Sequence, residues 1–102
     1  MRARGEGLRR VESEIAGEKA AALGRAGERL EEALAALEAV IRACARIDDN
    51  TRRAELREAY RAARARVRTA RLHLLIQREA LGLRTHRVVD QQFPEPAPPP
   101  WL

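Results

Sequence analysis

Asp48-Asp49-Asn50-Thr51 is the stretch on which the fold turns: it separates two long, Ala-rich halves of a 102-residue chain. Upstream, large apolar residues recur every seven positions at Leu23, Leu30 and Leu37, with Cys44 continuing the row and Leu34 and Ile41 flanking it. Carried past the break, the same two rows meet Asp48, Thr51, Glu55, Glu58, Ala62, Ala65 and Thr69, none of them a large apolar residue. A single seam therefore does not run through the chain. A new stripe begins instead at Leu56, Tyr60, Ala63, Val67, Ala70, Leu74 and Leu81. Asp, Asn and Thr start helices because their short side-chain oxygens accept from the orphan N–H groups of the first turn. Negative charge at Asp48 and Asp49 also suits a helix N-terminus. The expected fold is all-α: a long antiparallel helical hairpin, with helices over about 8–47 and 51–81.

Working outward, residues 1–7 are charged and Gly-containing and read as a flexible N-terminus. Gly82 suits the left-handed residue that ends the second helix. After it, Thr85 is placed to cap a short helix or turn over about 85–92, with Val88, Val89 and Phe93 as its apolar residues. Residues 94–102 hold all five prolines and form a Pro-rich tail, expected to be disordered or an extended docking motif for an unidentified protein.

Ala supplies much of the apolar count and buries little surface, so two helices sharing one seam make a thin core. The expected remedy is a second copy, two hairpins forming a four-helix bundle. Two features point to its contacts. Ala16, Ala20, Gly24 and Gly27 follow helical spacing and leave a groove where another backbone can approach. Leu72, Leu75 and Ile76 give the second helix an apolar surface away from its seam.

Charge is divided unevenly. Residues 1–50 carry nine basic and ten acidic side chains, and residues 51–102 carry eleven and five. The excess lies in the second helix, where Arg57, Arg61, Arg64 and Arg68 offer a row for phosphates or for the acidic flank of the first helix. A small nucleic-acid-associated protein is therefore the alternative to a structural module. Aromatic residues to stack on bases are missing there apart from Tyr60. A third grouping, Glu12, Lys19, Gln77 and Arg78, falls at the open end of the hairpin and suggests an ion-pair network fixing helix register.

Recognisable catalytic chemistry is missing. Cys44 is the single cysteine, His73 and His86 are the only histidines, and their spacing matches no metal, cofactor or nucleophile–base set. Enzymatic activity is not expected, and Cys44 reads as a small buried hydrophobe of a reducing compartment. Met1-Arg2-Ala3-Arg4-Gly5 is followed by charges rather than an apolar run, and charges break every apolar stretch well short of a bilayer span. These features predict a soluble, cytoplasmic protein without membrane contact.

Three runs, residues 14–27 (EIAGEKAAALGRAG), 30–34 (LEEAL) and 77–84 (QREALGLR), resemble a small bacterial family of uncharacterised helical proteins. The resemblance covers about half the chain, and its distinctive pieces are the EKAxxLGRxG-like and QREAxGLR-like runs. It implies a helical protein and brings no catalytic residues. The family pattern continues beyond the position of Phe93 with a further short helix, where this chain has its Pro-rich tail.

Overall fold

The computed structural model describes residues 2–47 and 49–102, and of residues 2–4 the backbone alone. Three helices follow one another: α1 over Arg2–Cys44, α2 over Asn50–Ala80 and α3 over Arg87–Gln92. No strand occurs among the described residues. The two long helices pack against each other as the expected hairpin, 74 Å in its longest dimension.

Local chemistry sets the helix ends. Asp49, in an extended conformation, accepts the Thr51 N–H on its carboxylate at 3.0 Å, which caps α2. Asp48, the other acidic residue assigned to this start, lies outside the described residues. At the far end the chain turns through Gly82 with φ +84°. The Gly82 N–H bonds to the Glu79 carbonyl and the Leu83 N–H to that of Arg78, a Schellman closure that satisfies the last carbonyls. α1 is displaced from its expected bounds, beginning at Arg2 and stopping at Cys44. Thr85 does not cap α3; His86 holds the N-cap position and makes no side-chain cap bond.

The seam uses the predicted rows. Leu30, Leu34, Leu37 and Cys44 from α1 are buried with Tyr60, Val67, Ala70 and Leu74 from α2. Ala26 and Ala33 complete the α1 side. Val89 of α3 joins the same cluster at 3% exposure, with Leu75 and Phe93 packed on it. The segment after Gly82 thus folds back along the hairpin and closes one of its two grooves. The other groove, bordered by Arg25, Arg29, Arg66 and His73, stays open.

α1 is longer than α2, 43 residues against 31. At about 1.5 Å per residue the difference is roughly 18 Å of helix. Lys19 Nζ bonds to the Ala80 carbonyl at 3.4 Å and marks the level at which α2 ends. Beyond it, residues 5–20 of α1 are exposed on every side.

Candidate functional site

Arg57, Arg64, Arg71 and Arg78 recur every seven residues, two helical turns, and so lie in one row along α2, with Arg53 a turn before them. The C-terminal segment runs antiparallel past this row, and all five side chains engage it. Arg78 donates Nη2 to the Thr85 carbonyl at 2.8 Å and Nε to His86 Nδ1 at 3.4 Å. Since that nitrogen accepts, His86 Nε2 carries the proton and donates to Glu79 at 3.1 Å. Arg71 gives Nε and Nη2 to Asp90 at 3.1 and 2.6 Å. Arg64 meets Glu95 at 2.7 Å, and this bond pushes its guanidinium above its ordinary pKa. Arg53 and Arg57 each hold a guanidinium 5.5 Å from the Trp101 ring centroid.

Trp101 is the far anchor. Its Nε1 donates to the Cys44 carbonyl at 3.1 Å, satisfying one of the acceptors that the end of α1 leaves open. Pro99 beside it is buried. The tail, for which disorder or a docking motif for another protein was expected, lies along the arginine row of its own chain and ends over the hairpin turn. Exposed ion pairs contribute little singly, because water screens them. Burial of Val89, Phe93, Pro99 and Trp101 holds the strap, and the arginines set its path.

This placement occupies part of the arginine row that was a candidate for phosphates. Arg57 flanks Trp101, Arg64 binds Glu95 and Arg61 pairs with Glu58 at 3.7 Å. Of the four, only Arg68 has neither an ion pair nor a cation–π contact among the described residues. The acidic flank of α1 is not their partner either, since no ion pair joins α1 to α2 among the described residues. The strap brings its own carboxylates and fits the same side of α2.

The expected polar network does not assemble. Arg78 turns to the strap, Lys19 bonds to Ala80, and Gln77 borders the open groove with Ala22 and Arg25. Glu12 and Lys19 share a notch with Ile15, Ala16, Ala80 and Leu81 where α2 stops. Arg78 is only half-buried, so it has no need of a buried acidic partner. Ala16, Ala20 and Gly24 are exposed and Gly27 half-buried, and nothing lies within 4 Å of a Cβ placed at either glycine. Leu72 and Ile76 are 55% and 49% exposed, while Leu75 is partly covered on the strap side.

No grouping of His, Cys, Asp or Glu able to hold a metal ion occurs among the described residues, and no helix there is long and apolar enough to cross a membrane. Cys44 is 1% exposed, and burial pushes its thiol pKa up. A raised native value favours the neutral thiol, so its contribution to stability is intact at neutral pH and is lost as pH rises through that value. Reaction with a thiol reagent should accordingly be slow at neutral pH in the folded chain. Trp101→Ala should accelerate it at least several-fold by opening the turn; an unchanged rate would show that the strap does not shield Cys44.

Comparison with known proteins gives a short answer. No protein-family model, curated protein or solved structure matches this chain. The geometry must speak for the function.

Proposed function

We propose that this chain is a non-catalytic helical interaction module that works as a homodimer. The observation that carries this reading is the exposure of large apolar side chains on both helices: Leu8 at 61%, Val11 at 51% and Ile15 at 46% on α1, with Leu72 and Ile76 on α2. Contiguous apolar surface of this kind marks protein–protein contact. The seam is thin, with Leu30, Leu37 and Cys44 its largest fully buried side chains, and a small core gains most from a partner.

Two surfaces offer themselves for self-association. One is the Leu72–Ile76 patch, which would set two hairpins side by side as a four-helix bundle. The other is the free end of α1. Against the nucleic-acid alternative stands the occupation of Arg57 and Arg64 by the strap. Light scattering at tens of micromolar protein should give twice the 11.5 kDa chain mass. A stable monomer at that concentration would remove the reading.

A further inference from the structure

The apolar stripe Leu8, Val11, Ile15 follows steps of three and four residues, the spacing of the buried seam. Counted back by sevens, the seam row of Leu37, Leu30 and Leu23 reaches Ala16 and Arg9, so the stripe lies beside the line of the seam. Down to Lys19 the facing helix is α2; from there α2 has stopped and the stripe meets solvent. The notch of Glu12, Ile15, Ala16, Lys19, Ala80 and Leu81 is the step where cover ends.

We propose that the stripe is covered by the same stripe of a second copy, running antiparallel across a two-fold axis. This rests on the self-association read above and names its contact. The notch lies where α2, antiparallel to α1, stops, so a helix that takes the place of α2 there runs antiparallel to α1. The free end of a second α1, turned about a two-fold axis, has that direction and by symmetry the same length. The contact is isologous and closes at two copies.

Charge favours the same direction. Residues 2–10 carry four arginines and one glutamate, net +3, and residues 11–18 carry three glutamates and no basic residue, net −3. Antiparallel alignment sets each basic half beside an acidic one, whereas parallel alignment would oppose like halves. The Leu72–Ile76 patch lacks both features. It consists of two side chains on the outer side of α2, among exposed Arg68, Thr69, His73 and Glu79.

Shape separates the two dimers. Joined through their free ends, two hairpins of 74 Å overlapping by roughly 18 residues at ~1.5 Å each give a rod of about 120 Å. Packed side by side, they stay near 74 Å. Small-angle X-ray scattering with light scattering should find the long dimer. Leu8→Glu with Ile15→Glu should give a monomer of unchanged helicity, since both side chains are already exposed. Leu72→Glu with Ile76→Glu should remain dimeric. A compact dimer, or a Leu8/Ile15 variant that still pairs, would overturn this contact while leaving self-association standing. A monomeric wild-type chain would overturn both.

Discussion

Leu37→Ala is expected to destabilise the hairpin by about 2–5 kcal/mol, the range for deleting a fully buried Leu side chain. Leu37 is 0% exposed and sits in the middle of the seam. Its neighbours along α1, Leu30 and Leu34, are fixed on the same helix and cannot move in to fill the space. Domains of this size have only about 5–15 kcal/mol to lose, so the change is a large share of the total. Urea denaturation followed by helical circular dichroism measures it, at one protein concentration because association adds to apparent stability. Leu72→Ala is the control: at 55% exposure it should stay within about 0.5 kcal/mol. Equal losses at the two positions would mean that the seam is not where stability resides.

The seam was legible because it obeys period. Leu30, Leu37, Val67 and Leu74 are large, apolar and regularly spaced, and helix packing demands that pattern. Asp49 and Gly82 were legible for a related reason: each answers a local need, a cap oxygen or a left-handed backbone, that depends on no distant residue. The strap was not. Its prolines correctly exclude helix, but absence of helix is not absence of order, and what orders residues 94–102 is a surface formed by another segment. The arginine row carried a usable signal, a seven-residue repeat from Arg57 to Arg78 matched in reverse by Asp90, Glu95 and Trp101. Charge alone could not choose among phosphate, the acidic flank of α1 and the chain's own C-terminus. Ala26 and Ala33 escaped notice because small residues carry little hydrophobic signal even when wholly buried. The misplaced Arg78 network shows the same limit, since a polar residue near a seam can turn outward whenever a nearer acceptor exists.

Val89→Asp is expected to release the strap and leave the hairpin folded. Val89 is 3% exposed in the shared core cluster, and a carboxylate there would have no partner. Burying an unpaired charge costs several kcal/mol or more. The chain can avoid that cost by two routes, unfolding entirely or detaching everything after Gly82, and it takes the cheaper. Detachment forfeits the burial of Val89, Phe93, Pro99 and Trp101, with large side chains worth about 1.5–3 kcal/mol each when fully covered. It also returns the conformational entropy of the ordered backbone after Gly82. Detachment forfeits far less burial than loss of the seam between α1 and α2, so the strap leaves first. Helicity should fall by less than a tenth, because α3 has six residues against 43 and 31 in the long helices. Trp101 emission should shift to the red and Cys44 should label faster as the turn opens. If the variant instead loses its helicity outright, α3 is an integral part of the core. If neither the fluorescence nor the labelling changes, the strap was never seated on the arginine row.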